Sequence, residues 1–152
     1  MPNIDTTHRI AHSADAMFAL VADVERYPEF VPLCQSLTIV GREERKGRDV
    51  IEARMSVGYK AIRETFTSRV VLDPASRTID VSYVDGPFEY LANRWVFTPL
   101  TDDTCEIHFT LDYAFKSRAL SMLMGATFDR AFSRVVQAFE QRADELHRQS
   151  AS

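Results

Sequence analysis

The sequence predicts an α+β fold in which a curved antiparallel sheet of about seven strands packs against a long C-terminal helix. Three observations support this prediction. Residues 36–115 contain six strand-like runs separated by short turns, which favours antiparallel neighbours. These runs alternate apolar and polar residues, so the sheet has one apolar face that another layer must cover. An amphipathic helical pattern from Ser117 onward supplies that layer.

The first elements are a short strand, residues 7–13, and a helix that follows Ser13. Ser13 is a favourable N-cap because its hydroxyl can accept a hydrogen bond from a free backbone N–H of the first turn. The next stretch, RYPEFVPLC, contains two prolines and two aromatic residues. Pro28 suits the first turn of a helix and Pro32 ends it. We therefore expect two short helices after the first strand.

The stretch CEIHFTLDYAF, residues 105–115, shows the alternation of the sheet most clearly. Its odd-numbered residues are apolar except for the tyrosine, and the residues between them are mostly polar, so one side of this strand faces the interior. The same test places Met55, Phe66, Leu91 and Trp95 on inward faces of other strands. Turns are predicted near residues 46–47, 58, 73–74, 85–87 and 102–103.

The C-terminal pattern predicts a single helix of roughly 45 Å, from the rise of about 1.5 Å per residue. Gly125 interrupts the apolar stripe, so we expect a bend there. The chain has neither a linker nor an internal repeat, and its 152 residues suit one domain spanning residues 1–152.

Composition and charge exclude several classes of function. The net charge of −4 disfavours attraction to nucleic-acid backbones, and no DNA partner is expected. Cys34 and Cys105 are too few for a metal centre or a disulfide framework and are expected to be small buried side chains. The N-terminal residues lack a signal-peptide profile, so the expected location is the cytoplasm. No catalytic motif or metal-ligand cluster appears, which favours a non-enzymatic protein that requires no cofactor.

Three stretches resemble one known family. They are VADVERYPEFVPLC, GPFEYLANRWVFTPL and FKSRALSMLMGATFDRAFSRVVQAFEQRA. Together with the order of elements, they are similar to the coenzyme Q-binding START-like proteins, a family that includes the ribosome-association toxin RatA. The resemblance covers nearly the whole chain. It departs at Leu33, where the family is expected to carry tryptophan before the cysteine.

The resemblance implies a helix-grip (START-like) fold with a hydrophobic tunnel between the sheet and the last helix. It implies a prenylated ligand such as ubiquinone in that tunnel and a role in its delivery for respiration. The candidate cavity residues are Tyr27, Phe30, Val31, Leu33, Met55, Glu64, Phe66, Tyr83, Leu91, Asn93, Trp95, Phe109, Tyr113, Leu123, Phe128, Phe132 and Val136.

The roles of several of these residues have alternatives at this stage. Tyr27 and Phe30 either gate the cavity or staple the two short helices to the sheet. Glu64 and Asn93, with Tyr83 and Tyr113, either orient a polar head group or are satisfied by protein and water.

Two other functions of the fold remain open. In the toxin branch, the large ribosomal subunit is the partner, with candidate contacts at Arg42, Arg45, Lys46, Arg48, Lys116 and Arg118. A polyketide-type aromatase/cyclase would need an inward acid or base, for which Glu64 is the candidate. The apolar turn at residues 120–124 is also a candidate for peripheral contact with a membrane, such as the inner membrane.

Overall fold

The computed structural model describes residues 3–151, with side chains described through residue 149. The elements in chain order are β1 (Asn3–Ile10), α1 (Ala14–Ala22), a 3₁₀ segment (Val24–Glu29), β2 (Cys34–Arg45), β3 (Arg48–Tyr59), β4 (Ile62–Asp73), β5 (Thr78–Asp85), β6 (Phe88–Pro99), β7 (Cys105–Phe115), α2 (Arg118–Ser133) and α3 (Val135–Ala151).

The strands form one antiparallel sheet in the order β1-β7-β6-β5-β4-β3-β2. Each strand from β2 to β7 pairs with the next one along the chain to form a hairpin, as their short connections predicted. Strand β1 pairs with β7, so α1 and the 3₁₀ segment carry the chain from one edge of the sheet to the other. The predicted α+β architecture, a curved sheet with C-terminal helices on one face, is confirmed.

The apolar face of the sheet lies under the helices. Ile51, Trp95 and Ile107, from three different strands, are each at most 3% exposed. From the helices, Phe128 and Phe139 are each 1% exposed and complete the same core. Full burial of a side chain of this size contributes roughly 1.5–3 kcal/mol to folding, so this shared face is the main source of stability.

Helices α1 and α2 each begin after a serine whose side chain caps the N-terminus of the helix. Ser13 Oγ accepts a hydrogen bond from Ala16 N at 3.1 Å, which confirms the predicted start of α1. Ser117 Oγ accepts from Leu120 N at the same distance at the start of α2. Each bond satisfies a backbone donor that the first turn leaves unpaired.

The predicted single C-terminal helix is two helices, and the predicted bend at Gly125 is wrong. Helix α2 continues through Gly125 and ends at Ser133, and α3 begins at Val135. Ser133 Oγ donates to Asp129 O at 2.7 Å, a back-bond that often bends helices. Arg134 then takes a non-helical conformation, with φ −106° and ψ 4°.

The turn predicted near Gly58 is also misplaced. Gly58 lies within β3, and the turn follows it at residues 60–61, where Lys60 has φ 56°. A Cβ at Gly58 would lie 2.5 Å from the side-chain Nε2 of Gln35. The glycine therefore serves close packing inside the strand rather than a reversal of the chain.

Among residues 3–151, no helix combines the length and apolar character required to span a bilayer.

Candidate functional site

A cavity of about 130 Å³ lies between the inner face of the sheet and helices α2 and α3, and it is partly open to solvent. Side chains from β2 to β7, from the helices and from the connection after α1 line it. None of the described lining residues is charged, and Tyr27, Ser68 and Asn93 are the polar ones. A space of this composition favours an apolar guest.

Two small side chains that line the cavity lie opposite each other on neighbouring strands of the sheet. Ala53 on β3 is paired directly with Ser68 on β4. Their flanking neighbours on the same face, such as Met55 and Val70, are larger. Since Phe132 and Val135 approach from the helices without filling the space above the small pair, a recess remains over it.

Aromatic rings form a rigid wall around this recess. The ring of Trp95 lies 4.8 Å from that of Phe109 and 5.3 Å from that of Phe139, both edge to face. Phe128 and Phe132 lie 5.9 Å apart on α2. Such pairs contribute about 0.5–1.5 kcal/mol beyond their buried area, so the wall is held in place by its own packing.

Eleven of the seventeen candidate cavity residues line the cavity. They are Tyr27, Val31, Leu33, Met55, Phe66, Leu91, Asn93, Trp95, Phe109, Phe128 and Phe132. Whether they contact a ligand stays a prediction.

The other six candidates lie outside the lining. Leu123 is 69% exposed on the outer side of α2. Val136 and Tyr113 are at most 2% exposed and pack in the core. Phe30 packs against Phe139 at 4.9 Å between ring centres. The two remaining residues are Tyr83 and Glu64; Glu64 is half-buried opposite Val57, which itself lines the cavity.

The polar candidates are largely engaged within the protein. Asn93 Nδ2 donates to Thr110 O at 2.8 Å, and Asn93 Oδ1 accepts from Trp95 Nε1 at 2.8 Å. This pair of bonds fixes the indole ring in the wall. Tyr83 OH accepts from Phe88 N at 3.1 Å, so it holds the start of β6.

Tyr113 differs from these residues because its buried hydroxyl has no hydrogen-bond partner among the described residues. Burial, with a smaller contribution from Asp129, raises the pKa of this phenol well above its usual value. The hydroxyl is therefore a neutral group buried at a cost.

Tyr27 is fixed in place by contacts on two sides. Its hydroxyl donates to the carbonyl of Val21 on α1, and its ring lies 5.3 Å from that of Phe139 on α3. Burial, followed by the proximity of Cys34 and Asp23, raises the pKa of the hydroxyl, which stays neutral. These contacts are those of a staple, and the same ring forms part of the cavity wall.

Phe30 belongs to the same staple. The guanidinium of Arg142 lies 5.2 Å from its ring centre and also pairs with Glu29. The 3₁₀ segment is thereby attached to α3 as well as to the sheet.

Eleven lining residues were not among the candidates. They are Val24, Pro32, Leu37, Ala53, Val57, Ser68, Val70, Val81, Leu111, Val135 and Phe139. Alternation and the helical stripe place most of them on inward faces. These patterns carry no information about which inward residues border the hollow and which meet other side chains.

The cysteines are buried, and two of the histidines lie beside carboxylates. Cys34 and Cys105 are free and buried, as expected, and burial raises the pKa of each thiol to about 11. His12 Nε2 lies 2.6 Å from Asp144 Oδ1, and His108 Nε2 pairs with a carboxylate across β1 and β7. Within residues 3–149, no three His, Cys, Asp or Glu side chains are grouped so as to hold a metal ion.

Residues 10–140 match the model of a family described as polyketide cyclase/dehydrase and lipid transport. The chain belongs to this family. A solved START superfamily protein from Mycobacterium smegmatis shares its fold, with a TM-score of 0.75, 24% identity, and coverage of 95% of this chain and 98% of that one. The predicted START-like, helix-grip fold is thus confirmed.

Two curated relatives of this START-like chain have names that indicate different functions. The ribosome association toxin RatA of Escherichia coli K12 is 37% identical over 147 residues, covering 97% of this chain and 90% of the toxin. The mitochondrial coenzyme Q-binding protein COQ10 of Dictyostelium discoideum is 32% identical over 150 residues, covering 97% of this chain and 72% of that protein.

The basic residues considered for ribosome contact do not form one surface of the START-like fold. Arg42, Arg45, Lys46 and Arg48 lie exposed on the β2–β3 hairpin. Strand pairing places the tip of this hairpin at the end of the sheet opposite Lys116 and Arg118, which follow β7. The six therefore do not form a single contact surface, and whether any of them contacts a ribosome stays a prediction.

The hairpin also carries acidic residues that offset its charge. Arg45 Nε lies 2.8 Å from Glu43 Oε1, and Arg48 Nε lies 3.1 Å from Asp73 Oδ2. All of these side chains except that of Asp73 are more than half exposed, so the pairs contribute little to stability.

Proposed function

We propose that this START-like protein binds an uncharged, largely apolar small molecule in its cavity, and that the ligand is a prenylated quinone of the ubiquinone type. The observation that supports the proposal is a recess lined by aromatic and aliphatic side chains, with no charged side chain among them. A charged ligand would lose its hydration there without gaining a partner. The name of the COQ10 relative supports the choice of a quinone.

The size of the cavity limits how much of a prenylated quinone the protein can enclose. A cavity of about 130 Å³ is close to the ~150 Å³ of an engineered apolar cavity that binds benzene, and smaller than the roughly 300–1,000 Å³ of pockets for drug-sized ligands. One ring fits within it. We infer that the quinone ring occupies the recess while the isoprenoid tail leaves through the opening, where each buried Å² of apolar area contributes about 25 cal/mol.

The same lining favours a binding protein over an enzyme. General acid–base catalysis needs a titratable side chain within hydrogen-bond reach of the substrate. Glu64, the candidate acid of a cyclase, lies outside the lining, and the phenol of Tyr27 has a raised pKa and an internal partner. The proposed role is to hold the quinone and deliver it for respiration, with no cofactor required.

Ligand identification from the native host tests the proposal. We expect ubiquinone in organic extracts of the purified protein, measured by native mass spectrometry with lipid identification. Ala53→Leu, which fills the recess, should remove it, and Val40→Leu, on the exposed face of β2, should not. The proposal is wrong if the wild-type protein neither contains ubiquinone nor takes it up from ubiquinone-loaded vesicles.

Delivery of a lipid would require contact with a membrane, and the start of α2 is the proposed contact. Met122 and Leu123 are 87% and 69% exposed, and the exposed Lys116 and Arg118 lie within two turns of them. Apolar side chains beside basic ones favour an anionic bilayer surface, which places the protein peripherally at the inner membrane.

Vesicle flotation tests this contact. The double change Met122→Ser and Leu123→Ser should abolish flotation with vesicles of anionic lipid. Leu100→Ser, at a leucine that is 43% exposed at the opposite end of the sheet, should leave it unchanged. Equal flotation of all three proteins would contradict the contact.

A second candidate function is association with the large ribosomal subunit, which the name of the RatA relative favours. The basic hairpin is the proposed contact, because its four cations are exposed and project from one edge of the sheet. Reversing the charges of Arg42, Arg45, Lys46 and Arg48 should abolish co-sedimentation with purified large subunits.

Two controls separate the second function from the first. Lys116→Glu with Arg118→Glu, at the other end of the sheet, should leave co-sedimentation unchanged, as should Ala53→Leu in the cavity. Co-sedimentation that survives reversal of all four hairpin charges would contradict the hairpin contact. If the wild-type protein does not co-sediment with large subunits, the proposed association with the ribosome is wrong.

A further inference from the structure

Ser68 is a buried polar residue whose hydroxyl faces the cavity. It is 6% exposed, and it lines the recess beside Ala53, its partner on the neighbouring strand. Within residues 3–149, the other hydroxyls of the inner core bond to protein or, like that of Tyr113, lie outside the lining. For Ser68 Oγ, the described residues supply no hydrogen-bond partner.

The two other polar residues of the lining are already engaged. Tyr27 OH donates to Val21 O. Asn93 uses its amide nitrogen for Thr110 O and its amide oxygen for the indole N–H of Trp95. Ser68 is therefore the polar side chain of the described lining that remains available to a guest.

The position of Ser68 suits a contact with the part of a guest that enters most deeply. Its partner across the sheet is Ala53, so no large side chain shields the hydroxyl on that side. Pairing of β4 with β5 shifts register between Thr67 and Ser68, leaving Val84 as the extra residue of the bulge. Bulges of this kind change the direction in which a side chain points.

An unpartnered hydroxyl in an apolar site is costly. A ligand that covers this hydroxyl removes it from water, and a ligand that supplies an acceptor compensates for that loss. A guest without an oxygen atom recovers none of it. The hydroxyl therefore discriminates between two guests of the same size that differ in one polar atom.

We propose that Ser68 is the polar anchor of the cavity and that it determines the orientation of the ligand. The class of ligand is an uncharged molecule with one ring-sized group bearing a carbonyl, hydroxyl or ether oxygen, and that oxygen bonds to Ser68 Oγ at the floor of the recess. The apolar remainder extends toward the opening. Carboxylates are disfavoured because the described lining holds no cation. This inference rests on the proposed ligand-binding function and adds the contact and the orientation.

The experiment uses two small probes of nearly equal size. Acetophenone carries a carbonyl oxygen on an aromatic ring, and ethylbenzene is the matched hydrocarbon. Titration of the isotope-labelled protein, followed by amide chemical shifts, gives the Kd of each probe for wild type, Ser68→Ala and Ser68→Thr. The unliganded spectra report whether each variant is folded.

We expect Ser68→Ala to weaken acetophenone binding roughly two- to tenfold, the range of one net hydrogen bond, and not to weaken ethylbenzene binding. Ser68→Thr, which keeps the hydroxyl, should retain the preference for acetophenone. The largest shifts should lie at residues 53 and 68.

Each other outcome is decisive. If both probes bind and neither distinguishes Ser68→Ala from wild type, the anchor is wrong and the cavity function stands. If neither probe binds the wild-type protein, both the anchor and the proposed function fail. If Ser68→Thr loses the preference although it is folded, the hydroxyl is not its source, and the anchor is again wrong.

Discussion

Replacing Ala53 with leucine tests whether the interior of the protein is hollow. Ala53 is 2% exposed at the floor of a cavity of about 130 Å³. Leucine adds three carbon atoms at this position, which the empty space can accept. In a solidly packed interior, the same substitution would force neighbouring side chains out of their rotamers.

The sign of the stability change distinguishes the two cases. At about 0.8 kcal/mol for each buried carbon, filling the recess should stabilise the protein by about 2 kcal/mol. For a domain of this size, the midpoint of thermal unfolding should then rise by roughly 4–8 °C. Overpacking would instead destabilise the protein by about 1–3 kcal/mol.

The assay is urea and thermal unfolding followed by circular dichroism, with Ala14→Leu as the matched control. Ala14 is 3% exposed, but it lies at the start of α1 outside the cavity lining. The control should therefore lose stability. If Ala53→Leu is destabilised as much as Ala14→Leu, no usable hollow exists and the basis for proposing a ligand is lost.

Three further predictions concern single groups. Gly86→Ala should destabilise by roughly 3 kcal/mol or more in urea unfolding, because φ is +145° and a Cβ would lie 2.5 Å from a side chain of β4. Gly47→Ala, at φ +79° with open space, should cost only about 1 kcal/mol, and equal costs would refute the clash. Tyr113→Phe should raise stability by about 1 kcal/mol, since it removes an unpartnered buried hydroxyl; a loss would reveal a hidden partner. The thiols of Cys34 and Cys105 keep their protons to about pH 11, whereas the unfolded chain releases them near pH 9. Their contribution to stability is therefore complete below pH 9 and falls between pH 9 and 11, and the double alanine variant should show a shallower decline.

Local patterns were sufficient for most of the fold. The strand count, the inward face of β7 and the cap at Ser13 each depend on residues close together in the chain, and each is confirmed. The break at Arg134 could not be predicted in this way. The apolar stripe continues across it, and the hydrogen bond from Ser133 Oγ to Asp129 O that precedes the break leaves no mark in the sequence pattern.

In the candidate site too, some features could be predicted from local patterns and others could not. Alternation correctly placed Trp95 and Asn93 on the inner face, but it left two roles open for Asn93, and only the structure shows its amide bonded to Trp95 and Thr110. The hydrogen bond between Asn93 and Thr110 joins two strands, so it depends on how those strands pair. The residue pattern of one strand does not contain that information. Ser68 is a polar residue on an apolar face, and the hydrogen bonds of the other polar lining residues, seen only in the structure, show that it is the one available to a ligand.

By itself, the sequence determined that this chain forms a one-sided antiparallel sheet covered by amphipathic helices, because period-two and helical spacing are local properties. Only the tertiary structure decided that Ala53 faces Ser68 beneath helices that do not fill the space between them. The physical reason is that a void is a property of packing: it depends on the combined volumes of side chains from β2 to β7, α2 and α3, which meet only after the chain has folded.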